Sequence, residues 1–197
     1  MPGYAGAVYH AAMHTPLPTT PLSDASPTFL RRVAITIATG FGLGRARFAP
    51  GTVGSLLGIP LVLAFSLLDG RLGTQVALAV ALTLAAVPVC DIAERAIGRK
   101  DPGCIVADEY LLLPIPFLDR GPLWHWLAGA DVPRAVALLV AGFAIARVCD
   151  ILKPSPVRQS QALPGGWGIV IDDFLASLYA WVLLWGFDGL VLARILG

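Results

Sequence analysis

Charged residues are scarce in this chain, and their scarcity is the first guide to its class. Only 14% of the 197 residues are Asp, Glu, Lys or Arg, whereas 56% are hydrophobic. Soluble domains usually carry about 25% charged residues. The composition therefore favours a membrane protein. The net charge of +1 gives no strongly basic surface, so we expect no nucleic-acid partner.

Several common catalytic and structural patterns are also missing. The three cysteines, Cys90, Cys104 and Cys149, are widely spaced and odd in number, which fits neither a disulfide framework nor a zinc site. We expect them to be small core residues. His125 lies between two tryptophans, a pattern typical of an interfacial anchor, and no Ser–His–Asp or Cys–His arrangement is visible.

The N-terminal segment lacks long apolar runs. It holds five prolines before residue 28 together with many Ala, Ser and Thr residues. This pattern does not fit a signal peptide, and we predict a disordered tail over residues 1–28 followed by one domain over residues 29–197. The stretch Phe29–Gly44 begins that domain and predicts a short apolar helix, with Arg31 and Arg32 near its start, that lies in a membrane interface.

Four apolar segments follow, and they predict an all-α fold: a compact helical bundle with several short, partly transmembrane helices. Gly54 and Gly58 in the first segment would allow close helix packing. About 20 residues span a bilayer and about 17 is the lower limit, so the last two segments span only if charged residues lie at their ends. The segments are Gly51–Leu68 with 18 uncharged residues, Thr74–Cys90 with 17, Ala135–Leu152 with 12 before Arg147, and Phe174–Phe187 with 14.

The membrane topology of these segments leaves three possibilities open. Arginines before the first segment place that end in the cytoplasm by the positive-inside rule. Two crossings return the chain there, and a third would carry Lys153 and Asp172 to the far side, away from Asp108 and Glu109. Either these groups do not cooperate, or Tyr110–Ala130 dips into or through the membrane, or some helices do not span.

The first group of charges lies in the stretch KDPGCIVADEYLLLP. Asp101 precedes a proline, which predicts an N-cap and the start of a helix. Asp108 and Glu109 follow two turns later, directly before an apolar run. They are either a solvated helix edge or part of a polar site.

The second group lies in the stretch ARVCDILKPSPVR. Arg147, Asp150 and Lys153 are three residues apart, so they lie within one third of a helix circumference. This spacing fits an ion-pair ladder within the helix. It also fits a phosphate site, because arginine offers a two-pronged donor and lysine a point charge.

The third group lies in the stretch GGWGIVIDD. We predict that Asp172 and Asp173 begin a helix, where the helix dipole favours negative charge, but capping needs only one of them. Gly165 and Gly166 leave bare backbone for a ligand to approach. Paired carboxylates at two places, together with Arg and Lys, suit magnesium and phosphate. Magnesium can polarise a phosphoryl oxygen or activate water.

Four stretches in series carry a family resemblance: GFGLGRARFAPGTVGS, DPGCIVADE, ARVCDILKPSPVR and GGWGIVIDD. In their order and spacing the chain resembles the phosphatidylglycerophosphatase A family, magnesium-dependent lipid phosphatases of bacteria, from about Gly40 to Leu196. The resemblance implies hydrolysis of the phosphate monoester of phosphatidylglycerophosphate to phosphatidylglycerol and phosphate, in phospholipid biosynthesis. It also implies a bacterial inner-membrane protein with its active site on the cytoplasmic side.

The resemblance also assigns roles by motif. Two departures from the family pattern concern substrate fit: Pro164 stands where the family usually has histidine, and Leu112 where it commonly has glycine. The candidate Mg²⁺ ligands are Asp108, Glu109, Asp172 and Asp173. The candidate catalytic residues are Asp173, Asp150, Arg147 and Lys153. The candidate substrate-binding residues are Gly51, Thr52, Arg147, Lys153, Gly165 and Gly166.

Two other functions compete with this one. A small polytopic membrane protein, a transporter or an assembly factor, would use its buried charges for ion passage or helix register. A phosphatase for another lipid phosphate would share the whole constellation. Acyl-chain preference, oligomeric state and the number of membrane crossings stay open.

Overall fold

The computed structural model describes residues 28–192, and within them it contains helices and no strand. The predicted all-α fold is confirmed. The predicted disordered tail lies outside the described residues, apart from Thr28, where the first helix begins. The helices are α1 Thr28–Ala38, α2 Pro50–Ser55, α3 Gly58–Ser66, α4 Leu72–Ile97, α5 Ala107–Leu112, α6 Leu123–His125, α7 Val132–Leu152, α8 Val157–Ser160 and α9 Gly166–Phe187.

Three long helices, α4, α7 and α9, form the frame of the bundle. All three are long and apolar enough to cross a membrane by length and composition. The 21 residues of α7 extend about 30 Å at 1.5 Å per residue, close to the thickness of a bilayer core. As expected from the sequence, α7 and α9 are long enough to span only because each includes charged residues, near the C-terminus of α7 and near the N-terminus of α9.

The first apolar segment differs from the predicted single span. It forms two short helices, α2 and α3, separated by a turn at Leu56 and Leu57. Its glycines pack closely, as predicted: an added Cβ would overlap Val106 at Gly54 and Leu113 at Gly58. The two short helices therefore pack against α5 and do not form one continuous spanning helix.

The chain between α4 and α7 runs from one end of the bundle to the other. Near its start, Glu109 contacts Arg147 close to the C-terminus of α7. Near its end, Arg120 contacts Asp188 just beyond the C-terminus of α9. We call the first of these ends, where α4 and α7 finish and α9 begins, the site end. Of the three topological possibilities, the structure thus supports passage of Tyr110–Ala130 through the depth of the bundle.

This passage is possible because the segment lies inside the protein. The side chains of Leu112, Ile115 and Phe117 are buried, and the Leu118 carbonyl accepts a hydrogen bond of 3.1 Å from Trp181 Nε1. Irregular backbone at membrane depth is tolerated only where protein or a cavity surrounds it. The prolines at 114 and 116 therefore stand where no lipid has to meet unpaired backbone groups.

An ion-pair cluster closes the opposite end of the bundle. Asp188 lies 2.9 Å from Arg134 and 3.7 Å from Arg120, and Arg134 covers the Trp126 ring at 5.0 Å. The cluster joins the start of α7 to the end of α9. Cys90 and Cys149 are buried in the core as predicted, whereas Cys104 is only half-buried.

Candidate active site

Charged residues from each of the three groups meet in one cavity at the site end. The elements that surround it are α5, the connection from α4 to α5, the last turns of α7 and the second turn of α9. The cavity has a volume of about 250 Å³. Six carboxylates and one lysine line it: Asp101, Asp108, Glu109, Asp150, Asp172, Asp173 and Lys153.

Arg147 links α7 to α5 beside this cavity, where it lines a smaller adjoining one. Its Nη1 lies 2.8 Å from Glu109 Oε2 and 3.0 Å from Asp150 Oδ2. The Ser55 hydroxyl donates to Glu109 at 2.6 Å and lies 3.2 Å from the same Arg147 nitrogen. The predicted ladder within α7 exists, but its arginine also reaches another helix. Sequence reasoning assigned no role to Ser55, although this residue ends the first of the four family stretches, because a serine alone does not indicate which side chains it will contact.

Lys153 links the end of α7 to α9 at another wall. Its ammonium donates to Asp172 Oδ2 at 2.5 Å and lies 3.7 Å from Asp150. Gln161 donates to the same Asp172 oxygen at 2.9 Å. The other oxygen, Asp172 Oδ1, is buried without a hydrogen-bond partner among the described residues. Gln161 was also missed, because it lies outside every charged motif.

Crowding of carboxylates perturbs proton binding in the cavity. Burial raises the pKa of Asp108 well above its usual value, and the negative charge of Glu109 raises it further. Burial also raises the pKa of Glu109, although Arg147 and Ser55 oppose that shift. Burial lowers the pKa of Lys153, but the charges of Asp172 and Asp173 outweigh it and hold this pKa above its usual value. Such shifts express a surplus of negative charge in a poorly solvated space.

The structure corrects the prediction for Asp101. No helix begins there; α5 begins at Ala107, and Asp101 has a left-handed φ of 43°. Its backbone N–H donates to the buried Glu94 carboxylate at 2.9 Å, which holds the loop in this shape. The Asp101 side chain therefore faces the cavity instead of capping a helix.

Asp172 and Asp173 also differ from the prediction that they begin a helix. Because α9 begins at Gly166, the two acids lie six and seven residues inside it, and both are buried. Helix capping accounts for neither carboxylate. Both line the cavity instead.

The predicted substrate-binding glycines have different surroundings. Gly51 lies against α5 and α7, where an added Cβ would overlap the Glu109 carboxylate and approach Arg147. Gly165 and Gly166 instead pack on α4, and the Gly166 N–H donates to Asp91 at 3.3 Å. None of the three glycines belongs to the cavity lining, so their role in substrate binding stays a prediction.

Three further positions lie outside the cavity lining. Thr52 is half-buried on α2, and Pro164 is exposed ahead of α9. Leu112, the other departure from the family pattern, is buried in the core. The two departures therefore do not alter the charged surface of the cavity.

Comparison of the sequence with known proteins identifies a family and several relatives. The family model for phosphatidylglycerophosphatase A matches residues 36–188. A Bacteroides thetaiotaomicron protein provisionally named a phosphatidylinositol-3-phosphatase is 36% identical over 166 residues, which is 80% of this chain and 93% of that protein. The phosphatidylglycerophosphatase A of Haemophilus influenzae is 36% identical over 155 residues, 75% of this chain and 84% of the relative. That of Escherichia coli is 33% identical over 148 residues, covering 72% and 76%.

No solved structure gives a significant match to this chain. The matched region contains all the charged groups that the fold gathers in the cavity, from Asp101 to Asp173. It also contains Gly51 and Ser55, which lie beside the ion pair of Arg147 and Glu109. By the extent of this match, the chain belongs to the phosphatidylglycerophosphatase A family.

Proposed function

We propose that this protein hydrolyses the phosphate monoester of phosphatidylglycerophosphate to phosphatidylglycerol and phosphate. Family membership and the names of two relatives support this substrate. The observation that carries the proposal is the meeting of the family's scattered charged motifs in one cavity at the end of three apolar helices. A phospholipid whose headgroup carries a phosphate monoester suits this arrangement, because the phosphate can enter the charged cavity while the acyl chains lie on the apolar helices.

An apolar surface leads to the mouth of the cavity. Ile151 lines the cavity and is 69% exposed, and its neighbours Val148 and Leu152 on α7 are also exposed. Acyl chains gain free energy when they lie on such a surface. We infer that the lipid chains lie along this part of α7 while the glycerol phosphate enters the cavity.

The cavity needs a cation to accept a phosphate. Six carboxylates would repel the substrate, and two buried oxygens, Asp108 Oδ1 and Asp172 Oδ1, have no hydrogen-bond partner among the described residues. In residues 28–192 no three His, Cys, Asp or Glu side chains form a ready metal cage. Magnesium is commonly held by one or two carboxylates together with substrate phosphate and water, so this donor set fits it.

We therefore propose that Mg²⁺ is held by Asp108, Asp172 and Asp173, with Glu109, which lines the same cavity, as a further candidate ligand. When bound, Mg²⁺ would polarise a phosphoryl oxygen and offset negative charge. The deep burial of Asp108 and Asp173 keeps these donors in place before substrate arrives.

The cationic side chains perform the second part of the chemistry. Arg147 and Lys153 neutralise charge that develops on the phosphoryl group as the ester bond breaks. Asp150 lies between them and contacts both, so it orients the two cations.

Asp173 is placed to act as the base. It lines both the main cavity and a smaller one beside Ser55 and Arg147. In our proposal, it positions a water molecule and takes its proton as the water oxygen attacks phosphorus. The P–O ester bond breaks in the same step, and the leaving glycerol oxygen takes up a proton to give phosphatidylglycerol.

The distribution of basic residues supports a cytoplasmic active site in the bacterial inner membrane. The positive-inside rule counts Lys and Arg close to the ends of membrane spans. Among the described residues that follow α1, the site end has more of them than the opposite end, which fits a cytoplasmic site. At the site end are Arg45, Arg47, Arg95, Arg99, Lys100 and Arg158; at the opposite end are Arg71, Arg120 and Arg134.

The test is phosphate release from phosphatidylglycerophosphate in detergent. We expect activity with Mg²⁺, none after chelation, and recovery when Mg²⁺ is restored. Asp173→Asn should abolish release while leaving the melting temperature near that of the wild type. Asp69→Asn, an exposed site in the turn between α3 and α4, is the matched control and should stay active. Full turnover in chelator would refute the metal proposal.

A second candidate substrate is favoured by one relative. The Bacteroides thetaiotaomicron protein bears the name of a phosphatidylinositol-3-phosphatase. Comparison of kcat/KM on phosphatidylglycerophosphate and phosphatidylinositol 3-phosphate separates the two substrates. The transporter interpretation has no comparable support, since the three relatives described above are all named as phosphatases.

A further inference from the structure

An exposed loop beside the cavity has no part in the mechanism above. We define it as the basic loop, residues 41–48 with the sequence FGLGRARF. Three of its large apolar side chains are open to the surroundings: Phe41 is 72% exposed, Leu43 41% and Phe48 80%. Clustered exposure of such side chains marks a surface that meets a partner or a membrane.

The loop has a defined shape. Phe41 and Gly42 both take left-handed φ values, 56° and 96°, which turns the chain sharply after α1. The N–H groups of Gly42 and Gly44 both donate to the Thr39 carbonyl at 3.0 Å. These bonds hold the apolar side chains outward even though nothing in the described chain covers them.

The loop is also fastened to the cavity wall. Gly44 lies so close to Cys104 that an added Cβ would overlap the Cys104 carbonyl. The Val106 N–H, two residues further on, donates to the Ala38 carbonyl at 2.8 Å. Gly103 and Ile105, which flank Cys104, line the cavity. The position of the loop therefore fixes the position of the cavity mouth.

The charges of the loop complement an anionic surface. Arg45 and Arg47 are exposed, and neither forms an ion pair with the described residues. The cavity behind them carries six carboxylates and repels anions at a distance. Exposed aromatic and aliphatic side chains interleaved with arginines are typical of segments that lie in the headgroup region of anionic membranes.

We propose that the basic loop is a docking site for anionic phospholipid. Phe41, Leu43 and Phe48 enter the boundary between headgroups and acyl chains, while Arg45 and Arg47 bind lipid phosphates. The loop thereby concentrates phosphorylated lipid beside a cavity that would otherwise repel it. This role rests on the proposed lipid phosphatase activity, and it assigns substrate capture to residues distinct from those that perform hydrolysis.

The kinetic test uses the full chain in vesicles of phosphatidylcholine that contain anionic lipid and phosphatidylglycerophosphate. Each Arg near an anionic surface changes lipid affinity by about fivefold, so Arg45→Gln with Arg47→Gln should raise KM by about 30-fold. The kcat should stay within about twofold, because neither arginine belongs to the cavity. Arg71→Gln, an exposed arginine at the opposite end, is the matched control. An unchanged KM in the double variant would overturn the proposal.

A second measurement follows the loop itself. A bimane label on Phe48→Cys in a Cys104→Ser background should be quenched by lipids carrying a nitroxide near the headgroup. Cys90 and Cys149 are buried, so the label goes to the new site. A label that stays unquenched overturns the proposal and points to a protein partner instead. Quenching remains measurable even if wild-type protein releases no phosphate from phosphatidylglycerophosphate, which would count against the proposed substrate alone.

Discussion

Replacing Lys153 by glycine and by alanine separates its chemical role from its backbone conformation. Lys153 ends α7 with a left-handed φ of 42°, a conformation in which glycine is preferred. Its ammonium contacts Asp172 and Asp150. Both substitutions remove the same ammonium, but only glycine relieves the backbone.

The size of the backbone effect follows from two opposing terms. A left-handed conformation costs a residue with a Cβ about 1–2 kcal/mol. Glycine avoids this cost, but it also makes the unfolded chain more flexible, which lowers the free energy of unfolding by about 0.4–1 kcal/mol. We therefore expect the glycine variant to be more stable than the alanine variant by roughly 0.5–1 kcal/mol, or about 1–4 °C in melting temperature. The unpaired Asp172 carboxylate is common to both variants and cancels from the comparison.

Activity should respond to the lost charge and not to the backbone. Loss of one preorganised group that stabilises transition-state charge typically lowers kcat by about 10²–10³-fold, so both variants should fall by that factor. Lys153→Arg keeps the positive charge and should retain more activity than either. The assays are phosphate release in detergent and thermal unfolding of the same preparations.

Two results would refute this reasoning. Equal melting temperatures for the glycine and alanine variants would show that the left-handed backbone at Lys153 carries no cost. A wild-type kcat in either variant would show that the lysine belongs to a structural ion-pair ladder and takes no part in hydrolysis.

Three further predictions concern neighbours of the cavity. Gly51→Ala should lower kcat at least about tenfold and cost about 1–3 kcal/mol of stability, because its Cβ overlaps Glu109; a normal melt with full activity would contradict this. Gln161→Met should weaken Mg²⁺ activation about 10–100-fold in a metal titration, since Asp172 loses a donor, and an unchanged titration curve would argue against that role. Burial raises the pKa of Asp108 above the unfolded value of 3.8. The stability that protonated Asp108 gives the folded protein is therefore fully present below pH 3.8 and is lost as the pH rises through the folded pKa. Metal-free protein should thus melt higher at about pH 5 than at about pH 7.5, and Asp108→Asn should reduce the difference; an equal difference in both proteins would sink the argument.

Local patterns predicted some of the cavity correctly. The spacing of three residues between Arg147, Asp150 and Lys153 predicted one helical face, and the ion pairs at 3.0 and 3.7 Å confirm it. Helical periodicity depends only on residues close in the chain, so the sequence is sufficient to predict a shared helical face. The long apolar helices were predictable for the same reason, although their ends were not: α9 begins six residues before Asp172.

Other parts of the cavity depend on contacts between distant residues. Ser55 ends a family stretch and Gln161 lies outside all four, and each becomes informative only when Glu109 or Asp172 lies beside it. Asp101 looked like a helix cap because a proline follows it. The distant Glu94 carboxylate instead binds its backbone N–H, and the loop turns it towards the cavity.

The amino-acid sequence by itself determined the class of this protein: a helical chain with long apolar segments and scarce charges that stand in short motifs. Composition and short-range periodicity are sufficient for that, since they reflect how each segment partitions between water and an apolar phase. Only the tertiary structure decided that these motifs share one end of the bundle. That outcome required the segment after Glu109 to pass through the protein interior, where buried side chains shelter its broken backbone, and no local pattern specifies such a path.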